Sequence, residues 1–303
     1  FADYAFFCNS GTEAVEASIK IARRYFHKRN NSKTKNEIIT FEGSFHGRTI
    51  GSLAAGGPDK LESFNTSVNG FKHIEFGNHE LLKKEINENT AAIIIEPLQG
   101  EGGIREVPSE CLKGIRKICD ENDTLLIFDE VQCGVGRTGK MFAHEWSDIV
   151  PDIMTVAKAI GNGFPLGVCL TSKIVGSTMD FGSHGSTYGG NPLASAVGNA
   201  VLDVMLEENF FNNVKDVSKN LLAGLQLIQN DFPNVIELVR GKGLMLGIKC
   251  KVQNTDFVEN ARKNKLLSVK ASDNVVRLMP PLILSLKESN EGLEKIRSTC
   301  ESF

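Results

Sequence analysis

The sequence predicts an α/β fold: a mostly parallel β-sheet flanked by helices, followed by a smaller C-terminal α/β domain. Two patterns predict it. Short, continuous apolar runs such as Leu125–Phe128 and Ile153–Ala157 read as strands buried on both faces, because half-exposed strands would alternate apolar and polar residues. Segments with apolar residues at helical spacing lie between these runs, and strand–helix alternation builds parallel sheets.

In order, the candidate strands are Ala5–Cys8, Ile38–Phe41, Ala91–Glu96, Leu125–Asp129, Ile153–Ala157 and Gly167–Thr171. Between them Glu13–His27, Glu80–Asn87 and Ser109–Glu121 read as amphipathic helices. After the glycine-rich stretch Gly182–Gly190, Pro192 opens a helical pattern over Leu193–Glu208, and a second runs from near Phe211 to Asp231. The tail reads as short strands, Val235–Arg240, Met245–Lys249 and Val275–Leu278, with helices at Asp256–Lys265 and Lys287–Cys300. This divides the chain into a large domain over residues 1–204 and a small α/β domain over residues 205–303. No internal repeat interrupts the division.

Hydrophobic residues make up 41% of the 303 and charged residues 23%, as in ordinary globular proteins. A net charge of −3 gives no electrostatic case for a nucleic-acid partner or an anionic membrane. No apolar run approaches the roughly 20 residues of a membrane-spanning helix. The seven cysteines are scattered and form no C-x-x-C, so neither a disulfide framework nor a metal site is expected, and a reducing, cytoplasmic setting fits. Phe1–Tyr4 shows neither an initiator Met nor a signal-peptide pattern. The chain reads as lacking an N-terminal segment, which leaves targeting and the activity of this stretch alone undetermined.

Asp129 and Lys158 each close a buried strand, at the edge where open α/β sheets bind ligands. Burial is costly for either charge without a partner. A pyridoxal phosphate site supplies both partners: an aldehyde for the lysine and a pyridinium nitrogen for the aspartate. Taken alone, two charged strand ends facing water explain the pair more simply; the surrounding segments reverse that.

Ser10–Gly11–Thr12–Glu13 joins a strand to a helix, where free N–H groups and the helix dipole hold a phosphate; an ordinary helix cap has the same composition. In Phe45–His46–Gly47–Arg48 an aromatic stands ready to stack on a flat ring and Arg48 to clamp a carboxylate, or the stretch is a polar loop in which His46 satisfies a local hydrogen bond. Glu96 and Glu101 flank glycines after another buried strand, as a site or as a solvated loop. His184–Pro192 is rich in hydroxyls suited to a phosphate or carboxylate, and equally to a plain connection. Arg277 sits in an apolar strand and needs an anion, from a ligand or from the protein itself. Gly134-x-Gly136-x-x-Gly139 matches a dinucleotide fingerprint but fails its context, because Glu130–Cys133 separate it from the strand.

In this order and spacing the segments resemble the class III (ω-amino acid) aminotransferases of the pyridoxal-phosphate type I fold, over essentially the whole chain. Phe45–Thr49, Asp129–Gly134 and Gly185–Pro192 most resemble the branch acting on acetylornithine; ornithine-specific members usually carry Trp where His46 stands. The resemblance implies pyridoxal 5'-phosphate as cofactor and transfer of the δ-amino group of N-acetylornithine to 2-oxoglutarate, in arginine biosynthesis. Lys158 then bonds the cofactor and shuttles the proton, and Asp129 holds the pyridine nitrogen. Phe45 stacks on the ring, Val131 and Gln132 lie beside it, and Gly11 and Thr12 hold the phosphate. Thr187 reaches the partner subunit's cofactor, making a homodimer with shared sites, while Arg48, Glu101, Ser186 and Arg277 contact substrate. Ornithine, succinylornithine, N-succinyl-diaminopimelate and 4-aminobutyrate remain open as donors. A non-catalytic descendant of the fold is the reading from another class; retention of Lys158, Asp129 and Thr187 argues against it.

Overall fold

The computed structural model describes residues 1–30 and 34–303. The first third contains β1 (Tyr4–Cys8), α1 (Gly11–Asn30), β2 (Glu37–Phe41), α2 (Ile50–Gly56), α3 (Asp59–Glu62), β3 (Phe71–Ile74), α4 (His79–Glu85) and β4 (Thr90–Ile95). A short ribbon of β5 (Leu98–Gln99) and β6 (Arg105–Glu106) precedes α5 (Ser109–Glu121), β7 (Leu125–Asp129), β8 (Ile153–Val156), β9 (Gly167–Thr171) and α6 (Lys173–Gly176). Then come α7 (Pro192–Met205), α8 (Phe210–Asp231), β10 (Ile236–Lys242), β11 (Met245–Cys250), α9 (Asn254–Lys263), β12 (Val269–Ala271), β13 (Val275–Leu278) and α10 (Leu286–Cys300).

The larger sheet has seven strands in the order β1-β9-β8-β7-β4-β2-β3. From β3 to β8 every pairing is parallel, whereas β9 is antiparallel to both β8 and β1. The connection from Val156 to Gly167 explains the reversal, since a parallel crossover takes about a dozen residues or more, usually helical. Every residue of β4 and β7 is buried, as their unbroken apolar runs require. Alternation along the strands feeds two cores. Ile38, Ala92, Ile94, Ile127 and Ile153 pack with Val15, Ile19 and Phe26 of α1. Ile39, Ile93, Leu126, Phe128 and Met154 pack with Leu112, Ile115 and Cys119 of α5 on the other face.

The smaller sheet, β10-β11-β13-β12, is antiparallel throughout. It has its own core, in which Leu246, Ile248 and Val276 meet Leu221 and Leu225 of α8, Phe257 of α9 and Ile296 of α10. Arg137, inside the glycine motif, ties the two sheets together: its Nη1 donates to the backbone oxygens of Leu244 (3.1 Å) and Pro280 (2.6 Å). That segment is an inter-sheet clamp, in keeping with the rejection of a dinucleotide loop.

The sequence pattern missed the strands β3 and β12, the two-residue strands β5 and β6, and the short helices α2, α3 and α6. Of these, β3 and β12 lie at sheet edges, where one pairing partner is absent and the apolar signature is weak; β12 is mostly exposed. No helix among the described residues is long and apolar enough to cross a membrane.

Candidate active site

The loops following β2, β4, β7 and β8 meet the start of α1 at one edge of the larger sheet. Asp129, the last residue of β7, is buried and fully oriented by its neighbours. Its Oδ1 accepts hydrogen bonds from the Val131 backbone N–H and from Oγ1 of Thr155, its register partner on β8, both at 3.1 Å. Its Oδ2 lies 2.7 Å from His46 Nδ1, with both side chains almost wholly buried. An ionised carboxylate only accepts, so Nδ1 carries the hydrogen. A carboxylate offers about four acceptor positions, and the three donors leave one for a ligand N–H.

Lys158 stands three residues beyond Thr155, where β8 ends. Its φ of 49° lies in the left-handed region, unusual for a side-chain-bearing residue, and such strain marks functional positions. The Lys158 side chain is exposed and joins no ion pair among the described residues.

Helix α1 starts at Gly11. A Cβ there would come within 2.6 Å of Val131 Cγ1, so glycine is what allows the helix start to press against the Asp129–Val131 segment. Thr12 Oγ1 donates to Ser52 Oγ at 2.8 Å and accepts from the Arg48 backbone N–H at 3.3 Å, fastening the Phe45–Arg48 loop across the helix start. Arg48 is exposed and lies over the half-buried Phe45 ring, 5.1 Å from its centroid.

A second cluster forms the rim toward the smaller sheet. Arg277 Nη1 on β13 donates to Glu101 Oε1 at 2.6 Å and to Gln132 Oε1 at 3.0 Å, while Arg277 Nε is buried without a partner. A Cβ on Gly100 would stand 1.8 Å from Gln132 Oε1, so only glycine leaves room for the glutamine. Ser186 Oγ accepts from Asn9 Nδ2 at 3.2 Å, bringing its loop to the same edge, while Thr187 beside it is exposed.

The residues singled out in the sequence thus fall into two adjoining groups joined through Val131–Gln132, with Ser186–Thr187 at the margin. Sequence reasoning gave no role to Thr155 and none in particular to Glu96, and it read His46 as satisfying a local hydrogen bond, whereas its partner, Asp129, is 83 residues away. Glu96 had a legible signal: it closes the apolar run Ala91–Ile95 just as Asp129 closes Leu125–Phe128. Burial raises the Glu96 carboxyl to about 7, against the pull of nearby His46.

The donor set fits pyridoxal phosphate. The free acceptor position of Asp129 suits a pyridinium N–H, Lys158 offers an unpaired amine, Phe45 an aromatic face, and the start of α1 a phosphate seat.

A family model described as aminotransferase class III matches residues 1–300. The chain is similar to the acetylornithine aminotransferase of Agrobacterium fabrum, with 52% identity over 304 residues covering 100% of this chain and 76% of that protein. It is also similar to that of Brucella melitensis, with 51% identity over 302 residues covering 99% and 75%. Among solved structures, N-acetylornithine aminotransferase from Stenotrophomonas maltophilia K279a superposes with a TM-score of 0.86 at 37% identity, covering 100% of this chain and 76% of that one. An ornithine aminotransferase from Toxoplasma gondii, with pyridoxal phosphate at partial occupancy in its active site, gives 0.94 at 28% identity, covering 99% and 73%.

Proposed function

This chain belongs to the class III aminotransferases and is a pyridoxal-phosphate-dependent transaminase, and from that premise we propose that it moves the δ-amino group of N-acetylornithine to 2-oxoglutarate in arginine biosynthesis. The observation that carries the substrate reading is the Arg277–Glu101 pair at 2.6 Å, because the two amino donors place a carboxylate differently. N-acetylornithine reacts at its distal amine and extends its carboxylate away from the ring, toward Arg48. Glutamate reacts at its α-amine and brings a carboxylate beside the ring, where it needs an arginine, while its γ-carboxylate takes Arg48. With the first donor Glu101 neutralises Arg277; with the second, the substrate carboxylate takes Glu101's place.

Pyridoxal phosphate, when bound, supplies the carbonyl that exchanges amino groups and a ring that draws off the electrons left by a departing proton. Asp129 offers its remaining acceptor position to the ring nitrogen's N–H, held in place by His46, Thr155 and Val131. Lys158 Nζ anchors the cofactor, removes the proton from the substrate's δ-carbon and later delivers one to the α-carbon of the product glutamate. Phe45 would cover the ring, Gly11 and Thr12 would seat the phosphate, and Gln132, bonded to Arg277, would lie beside the cofactor. Ser186 and Arg48 orient substrate.

The active form in this reading is a cytoplasmic homodimer in which Thr187 serves the partner's site. Its exposure, with Phe181, Tyr188 and Leu193 exposed on the same stretch, supports this, and the free thiols of all seven cysteines fit a reducing compartment. The small domain, set to begin at residue 205, starts close to the change of core: Met205 still packs under the larger sheet, and Val214 is the next buried residue to pack under the smaller. Separate half-reactions of the holoenzyme with N-acetylornithine, ornithine and 4-aminobutyrate test the assignment. N-acetylornithine should show the highest kcat/KM; a clear preference for either of the others refutes it.

A further inference from the structure

Glu96 follows β4 and is 3% exposed, yet the roles above leave it without a task. Its Oε2 accepts the Phe45 backbone N–H at 3.0 Å. Among the described residues, the ion pairs of the site use Asp129 and Glu101, not Glu96. The charged groups that face it are His46 from the loop after β2, Asp129 from β7 and Lys158 after β8. Lys60 from α3 acts on it from farther off, and His73 from β3 stands near both His46 and Lys60.

His46 lies within the influence of two carboxyl groups. Nδ1 donates to Asp129, and Nε2 is buried without a partner among the described residues. An ionised Glu96, with one backbone donor and no cation within ion-pair distance among the described residues, is costly in so dry a place, the more so beside a second carboxylate. Its ionisation would be relieved by a proton on His46 Nε2. The imidazole would then be cationic, and a cation against Asp129 draws the carboxylate's charge away from a ligand N–H on its other side.

We propose that Glu96 is a positioning residue of the transamination site: it keeps its proton in the resting protein, so that His46 Nδ1 stays a donor to Asp129 and the Asp129 carboxylate stays directed at the ring nitrogen. The same side chain fixes the Phe45–His46 backbone, so ring stacking and the Asp129 hydrogen bond share one anchor. The effect on the cofactor rests on the transaminase reading; the protonation of Glu96 does not.

Two measurements separate these. Infrared spectra of the cofactor-free protein near pH 6 should show a protonated-carboxyl band that is missing from Glu96→Gln and fades toward pH 9. Identical spectra for the two proteins overturn the proposal whatever the reaction. In the holoenzyme, the cofactor's absorbance should titrate with a step near neutral pH that Glu96→Gln lacks and that His46→Asn moves to higher pH, since His46 no longer favours the ionised carboxyl. Superimposable titrations of all three proteins also overturn it. An infrared band that behaves as expected in a protein whose cofactor spectrum ignores every amino donor would instead refute the transaminase reading alone.

Discussion

Arg277 and Glu101 form an ion pair at the rim of the smaller sheet: the guanidinium on β13 meets the carboxylate on the turn between β5 and β6 at 2.6 Å, with the arginine side chain 11% exposed and the glutamate 39%. The more accessible partner is the one that substrate has to displace. Gln132 Oε1, 3.0 Å from the same Nη1, keeps the arginine in position when Glu101 leaves.

Glu101→Gln should therefore raise kcat/KM for glutamate relative to N-acetylornithine, by about tenfold for a charge pair of this exposure. Arg277→Ala should do the reverse, lowering the glutamate half-reaction by about two to three powers of ten, the cost of leaving a carboxylate unpaired. Equal losses for both donors in both variants would sink the switch.

Lys158→Ala should abolish transamination while retaining the fold, because the side chain is exposed and unpaired. The backbone at φ 49° adds a second expectation. Lys158→Gly should be more stable than Lys158→Ala by about 1 kcal/mol in denaturant unfolding, since glycine alone adopts this conformation without strain. Alanine the more stable of the two would show that the turn is not strained.

Asp129→Asn should lower single-turnover rates by about two to three powers of ten and weaken cofactor binding much less. The amide keeps the shape of the carboxylate but cannot hold a proton on the ring nitrogen by charge. Unchanged single-turnover kinetics would remove that role.

Glu96 should make stability pH-dependent. Burial raises its carboxyl from 4.5 to about 7, so between those values the folded protein binds a proton that the unfolded chain has released. Its contribution is most favourable below the unfolded value and declines as pH rises through the folded one, by a few kcal/mol in all. Glu96→Gln should accordingly gain on the native protein as pH increases from about 5 to about 8 in urea unfolding. A difference that stays constant across that range would contradict the buried, protonated form.

Subunits carrying Lys158→Ala, mixed with subunits carrying Thr187→Ala, should recover part of the activity that each lacks. In a mixed dimer one site carries both lesions and the other neither. No recovery after demonstrated subunit exchange would count against a shared site.

Much of this was legible in the chain itself, for identifiable reasons. Leu125–Asp129 and Gly167–Thr171 coincide with their strands, because burial, complete in the first and nearly so in the second, writes itself as a short, mostly apolar run. The reversed direction of β9 left no such trace, since strand direction depends on the length of a connection rather than on the strand's own residues. In the site, Asp129 and Lys158 stood out as charges closing apolar runs. Glu96 carried the same signature but was read together with its neighbours as one loop. The partner of His46 was illegible for another reason: it is 83 residues away, and a lone histidine carries no sign of what it will meet.

The loop bearing Glu101 belongs by its bonds to the smaller sheet. The Glu101 backbone oxygen accepts from the Ser272 N–H at 3.0 Å, and the Gly103 oxygen from Arg240 Nε at 2.8 Å. Lys158 and Asp129 belong to the larger sheet. Mutations that shift one sheet against the other would carry Glu101 and Arg277 together, changing how far a substrate must reach without disturbing the proton-handling groups. Descendants of such a molecule could thus acquire new amino donors through their sheet packing while inheriting the same chemistry.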